Sequence, residues 1–149
     1  MGPIPEAAAR TVATSARSAS ALRAPLLTGA AVAAATVLVA VRDPHVRGSY
    51  GLCPMLELVG LACPLCGGLR ATHDLAHLDL VGAWSANALW TVTAPVVVVL
   101  WLSWLVSAAR GRPVRGLSGT AGWVTLGVAL AFFVVRNLPG LQPYLTPWL

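Results

Sequence analysis

Apolar positions along the chain gather into three long runs, and polar positions fill the gaps between them. The runs are Ala24–Val41 (APLLTGAAVAAATVLVAV), Leu89–Ala109 (LWTVTAPVVVVLWLSWLVSAA) and Leu117–Val135 (LSGTAGWVTLGVALAFFVV), and none contains a charge. A bilayer crossing takes about 20 residues. Three such runs predict transmembrane helices rather than buried strands. Pro25 is placed in the first turn of its helix, where a missing N–H costs nothing, and Pro95 is the expected kink of the second. The fold class read from this pattern is an all-α integral membrane protein with three spans.

The remaining pattern sets the organisation. Residues 1–22 are rich in Ala, Ser and Arg, with Pro3 and Pro5, and read as a flexible tail. A cleaved signal peptide is the rival reading. The 24–41 run is longer than the usual ~7–15-residue signal core, and no small-x-small site precedes VRDPHVRG, so a retained anchor is expected. Residues 24–149 then form one membrane domain with a long loop, 42–88, between the first two spans. A short helix is predicted from Gly67, with Leu69, Thr72, His73 and Ala76 on one face. Arg70 and Asp74 are spaced i,i+4, which suits an ion pair worth a few tenths of a kcal/mol. His77-Leu78-Asp79 breaks that helix. Asp79 is placed as N-cap of the next one, which runs from Leu80 through Trp84 and Asn87 into the second span.

Composition strengthens the membrane reading. The chain of 149 residues is 57% hydrophobic and 10% charged, against about 25% charged in soluble domains. Its net charge is +5, and all ten basic residues are Arg. Together with the many Ala, Val and Gly, this usage fits a GC-rich bacterial genome. The arginines stand at the ends of apolar runs without a basic–aromatic patch, which excludes a nucleic-acid partner. Arg10, Arg17, Arg23, Arg110, Arg112 and Arg115 fall on one side of the predicted spans; Arg42, Arg47, Arg70 and Arg136 fall on the other. The positive-inside rule places the first group in the cytoplasm. The N-terminus is then cytoplasmic, and the 42–88 loop lies outside the inner (cytoplasmic) membrane. Trp90, Trp104, Trp123 and Trp148 suit interfacial belts or ordinary packing. Gly29 and Ala33 have the spacing that lets helices approach closely. The expected partners are the lipid bilayer and, through that stripe, a second copy or another membrane protein.

The long loop carries the candidate chemistry. Cys53, Cys63 and Cys66 all lie in it, and Glu57 is the only charge from Leu52 to Gly68. So apolar a stretch is expected at the interface or packed into the protein, because lipid cannot satisfy irregular backbone. Three readings stay open. An oxidising compartment favours pairing: Cys53 with Cys63 or Cys66 would close a loop of about ten residues worth a few kcal/mol. Zinc is the second: Cys53, Cys63 and Cys66 with His73 or His77 would make a Cys₃His set. No other cofactor is suggested. Thiol redox chemistry is the third, with Cys63 attacking, Cys66 resolving and Cys53 relaying; no alternation of strands and helices of the thioredoxin kind surrounds the motif. Arg70 has two roles open, a partner for Asp74 or lipid phosphate, and a buried partner for Asp79 or a backbone carbonyl. Arg136, Asn137, Asn87 and Asp79 can cluster if the third span returns to this face. Asp74 and Asp79 read as helix-surface and capping groups. No Ser-His-Asp set, phosphate loop or catalytic carboxylate pair stands out, and three spans without an internal charge argue against a transporter.

Cys53, a spacer near ten residues, C-P-x-C-G at Cys63, Pro64, Cys66 and Gly67, then Arg70, His77, Asp79 and Asn87, resemble a family of small bacterial membrane proteins catalogued as domain of unknown function 2752. The later V-R-N-L-P, with Arg136, Asn137 and Pro139, is similar too. The chain departs from that pattern at Gly68-Leu69 and at Ala88. The resemblance implies the membrane architecture and marks the motif; it implies no reaction. The expected function is a non-enzymatic membrane accessory or scaffold with a disulfide- or zinc-stabilised cysteine corner. The alternative is a membrane thiol–disulfide oxidoreductase using Cys63-Pro64-Leu65-Cys66.

Overall fold

The computed structural model describes residues 6–46, 49–50, 53–113, 116 and 118–145, the side chains of 6–19 and 142–143 excepted. Arg47, Arg115 and Trp148, used above for orientation and belts, lie outside the described residues, as do Pro3 and Pro5 and the side chains of Arg10 and Arg17. The helices are α1 (Glu6–Val41), α2 (Pro54–Val59), α3 (Gly68–Ala76), α4 (Leu80–Ala109), α5 (Gly119–Arg136) and α6 (Gln142–Leu145). The described residues contain no strand. Ser20–Val41 of α1, all of α4 and all of α5 are long and apolar enough to cross a membrane. The protein is all-α with three spans, as the hydrophobic pattern requires.

Several boundaries differ from the expectations. Helical backbone begins at Glu6, inside the segment read as a tail, because Ala and Arg are strong helix formers. Pro25 is therefore interior to α1 rather than in its first turn. α4 is two helical stretches that meet at Asn87, whose backbone is extended (φ −162°, ψ 98°); Pro95 lies within the second stretch. Asn87 Oδ1 accepts the Trp90 N–H at 2.9 Å, so this residue caps a restarted helix from within. The short helices α2 and α6 were not expected. The signals for α2 were present: Pro54 falls in its first turn, and Gly60 closes it at φ 71°, the left-handed position that glycine fills without cost.

Two compact units divide the chain: Met1–Ala33 with Val97–Gly116, and Ala34–Val96 with Leu117–Leu149. In the first, Trp101 Nε1 donates to the Pro25 carbonyl at 2.9 Å. A Cβ on Gly29 would run into the Trp101 ring, so only glycine admits the indole here. The Gly29 face is thus occupied by a side chain of the same protein.

In the second unit the centre is small. Ala71, Ala83 and Ala86 are buried, with Leu75 and Trp90 against them, while large aliphatic side chains of α4 and α5 point outward. In water that exterior would be a liability; in lipid it costs nothing. On α3 the buried residues are Ala71 and Asp74, so Asp74 is not the helix-surface group expected; Leu69 is exposed, and the Thr72 hydroxyl accepts the Trp90 indole N–H at 2.8 Å. Trp90 is consequently a packing residue, whereas Trp123 is exposed.

The turn from α3 into α4 is a Schellman closure. The Asp79 N–H reaches the Asp74 carbonyl at 2.9 Å and the Leu78 N–H the Leu75 carbonyl at 3.1 Å. Leu78 occupies the left-handed position at φ 62°, where a Cβ is disfavoured. Its side chain is exposed. Leu78→Gly is expected to raise stability by about 1 kcal/mol, measured as a higher unfolding midpoint in detergent.

Candidate functional site

Two short turns bring the three thiols together. Cys53 precedes α2, and its carbonyl accepts the Glu57 N–H at 3.0 Å. The chain then reverses through Gly60. Cys63 and Cys66 flank a tight turn in which the Cys66 N–H reaches the Cys63 carbonyl at 3.0 Å. Gly67, at φ 80°, leads into α3. The Sγ–Sγ separations are 2.9 Å (Cys63–Cys66), 3.1 Å (Cys66–Cys53) and 3.7 Å (Cys53–Cys63). The Cys63 N–H also points to Cys66 Sγ at 3.2 Å. All three are free thiols.

The irregular backbone of this corner is held by side chains from distant helices. Asn87, fully buried, donates through Nδ2 to the carbonyls of Pro64 (2.8 Å) and Cys66 (3.0 Å). Asn137 closes a two-way bond with Ala62, accepting its N–H at 2.9 Å and donating to its carbonyl at 3.0 Å. Arg136, also fully buried, donates from its two terminal nitrogens to the carbonyls of Cys63 (3.2 Å) and Ala86 (3.3 Å). Its guanidinium lies over the Phe132 ring. These contacts answer the requirement that buried N–H and C=O groups find partners. Asp79 stands apart from this set: its carboxylate accepts the Gly82 N–H at 2.8 Å at the start of α4.

The thiols are electrostatically unequal. Burial pushes Cys66 up to about 12, helped by its thiol neighbours. Cys53 is held below the ordinary thiol value by the Cys66 thiol, then by the α2 amides of Leu56 and Met55. The thiol at a helix start is therefore Cys53, whereas the sequence pointed to Cys63 as the attacking group.

The histidines belong elsewhere. Among the described residues, no histidine nitrogen joins the sulfur cluster; His73 groups instead with Asp43 and His45. His77 Nδ1 bonds the His73 carbonyl at 2.8 Å, and its ring packs on His73 at 4.3 Å between centroids. Arg70 Nε donates to the Pro44 carbonyl at 3.3 Å. Asp74 is not a helix-surface group: it is 6% exposed, and desolvation raises its carboxyl above the usual range. Asp43 and His45 were passed over as site residues in the sequence, and Asp74 was read only as a helix-surface group and partner of Arg70. The only trace was R-D-P-H at 42–45, a turn-like stretch with no periodicity to assign it a partner.

With this geometry in place, the comparison with known families is specific. Residues 53–101 match the family model described as protein of unknown function (DUF2752). This is the family that the cysteine motif resembles. The DUF2752 match opens on Cys53 and takes in Cys63, Cys66, Arg70, the α3–α4 turn and Asn87, and it ends at Trp101; Arg136 and Asn137 lie beyond it. The chain matches no curated protein and no solved structure.

Two outcomes follow from the corner. Asn87→Ala leaves the Pro64 and Cys66 carbonyls and the Trp90 N–H unmet; at about 1–3 kcal/mol for each buried group, a loss of roughly 3 kcal/mol or more is expected in thermal or denaturant unfolding. The raised Cys66 thiol sets an alkaline limit. Its stabilising contribution is complete below the ordinary thiol value of 9.0 and drains as pH rises toward about 12, because the unfolded chain ionises first. Alkaline titration of reduced, chelator-treated protein followed by circular dichroism should show this loss, and Cys66→Ala should flatten it.

Proposed function

We propose that this protein is a non-enzymatic membrane scaffold of the inner membrane, with the cysteine corner on the extracytoplasmic face as a rigid docking element stabilised by one zinc ion. The observation that carries the reading is the convergence of three thiols on one point. A disulfide uses two sulfurs and leaves the third in contact without a role. A zinc ion bonded to sulfur at about 2.3 Å reaches all three from one side of a triangle with edges of 2.9, 3.1 and 3.7 Å. Cys53, Cys63 and Cys66 would be the ligands. When bound, the ion supplies cross-linking of α2 to the Cys63–Cys66 turn and fixes the thiols as thiolates. Three thiolates around a divalent ion carry a net negative charge, and the buried Arg136 guanidinium on the Cys63 carbonyl offsets it. A water molecule or a group from a partner would complete the fourth position. The arginine distribution supports the orientation, with the N-terminus in the cytoplasm.

One observation favours a second reading. Cys53 is shifted toward the thiolate and Cys66 away from it, the division of labour of an attacking and a resolving thiol. In a thiol–disulfide oxidoreductase Cys53 would attack a partner disulfide, and the neighbouring Cys63 or Cys66 would release the mixed disulfide.

Protein purified in detergent without reductant or chelator is expected to carry one zinc per chain by native mass spectrometry and elemental analysis. Cys53→Ser, Cys63→Ser and Cys66→Ser should each lose it. A gain of about two mass units on reduction, with no ion present, would replace the zinc site by a disulfide. A partner protein trapped covalently at Cys53 in the double variant Cys63→Ser with Cys66→Ser would replace the scaffold by the oxidoreductase.

A further inference from the structure

A second constellation lies between the end of α1, the 42–46 turn and α3, separate from the thiols. Asp43, His45 and His73 each present one ligand atom, and these atoms lie within 4.8 Å of one another. His45 Nδ1 is 2.9 Å from Asp43 Oδ1, and His73 Nε2 is 3.9 Å from the same oxygen. The Asp43 carboxylate is also oriented by the His45 backbone N–H at 2.7 Å. Pro44 lies between them in the 42–46 turn.

The far nitrogen of His73 is hydrogen-bonded and that of His45 faces a carboxylate without a hydrogen bond, and this gives the cluster its direction. His73 Nδ1 is 2.9 Å from the Val39 carbonyl. A carbonyl only accepts, so Nδ1 carries the hydrogen and Nε2 keeps its lone pair toward Asp43. His45 Nε2 faces Asp74 Oδ1 at 3.6 Å, which leaves Nδ1 toward Asp43. Metal-bound histidines have this arrangement, the distal N–H on a carbonyl or a carboxylate. The second, independent observation is Asp74 itself. It is 6% exposed, its Oδ2 has no hydrogen-bond partner, and it lines a cleft of about 190 Å³ with His45. The same cleft is lined by Arg70, and the protonatable ring that faces Asp74 is His45.

We infer that Asp43, His45 and His73 form a binding site for a divalent transition-metal ion, with Asp74 as the buried carboxylate that orients His45. Imidazole and carboxylate donors select zinc and its neighbours over magnesium or calcium. The site shares no ligand with the cysteine corner and stands whether or not that corner binds an ion.

The chain has three histidines, so their ring nitrogens can be followed individually by NMR on the full-length protein in detergent. Zn²⁺ at one to two equivalents is expected to shift the His45 and His73 nitrogens strongly and the His77 ring, which packs on His73, only weakly. Co²⁺ at this site should give ligand-field absorption without thiolate charge transfer, which separates it from the cysteines. Asp43→Ala should weaken the response at least tenfold while leaving the His77 signals and the helical circular dichroism unchanged. Asp74→Asn should weaken it less. Zinc that moves no histidine, or that moves all three alike, would overturn the site. So would an unaltered response in Asp43→Ala. If Asp43→Ala proves misfolded, His45→Gln, altered at a side chain 46% exposed, makes the same test.

Discussion

The structure depends on satisfying irregular backbone in a place where water is scarce. The 62–66 segment is neither helix nor sheet, and beyond the single turn bond from the Cys66 N–H to the Cys63 carbonyl its peptide groups need partners from elsewhere. Asn87, Arg136 and Asn137 supply them, each with a planar group presenting hydrogen-bonding atoms in fixed directions. The result is a polar seam inside an apolar exterior. Its members are all 0% exposed or close-packed against backbone, and the alanines around them let the helices come close enough for short side chains to reach. Large residues at Ala83 or Ala86 would hold α3 and α4 too far apart for this seam to close.

Much of this architecture was legible because lipid imposes a simple rule on sequence. Charge-free runs of the right length had to be helices, and Asn87, Arg136 and Asn137 stood out as polar groups at the edges of such runs. Their partners were not legible. The Ala62–Asn137 bond joins residues 75 positions apart, and no local pattern encodes that pairing. Asp74 differs for another reason. Its i,i+4 spacing from Arg70 reads as a surface pair, whereas the fold buries Asp74 beside Ala71 and leaves Leu69 exposed.

The cysteine and histidine sets show the same limit from the chemical side. Spacing made Cys53, Cys63 and Cys66 an obvious group, and the fold does assemble them. The same reasoning sent His73 to the cysteines because both lie in one loop. In the fold, α3 carries His73 away from the sulfurs toward the 42–46 turn, where His45 and Asp43 meet it. Sequence proximity identified the residues with chemical capacity; the direction of one nine-residue helix decided which of them act together.

The seam also fixes an order of assembly. At a synthesis rate of about 5–20 residues per second, roughly 4–15 seconds separate the emergence of Ala62 from that of Asn137. Throughout that interval the 62–66 turn has neither the Arg136 guanidinium nor the Asn137 amide to hold its backbone. The last span therefore works as a latch that arrives late.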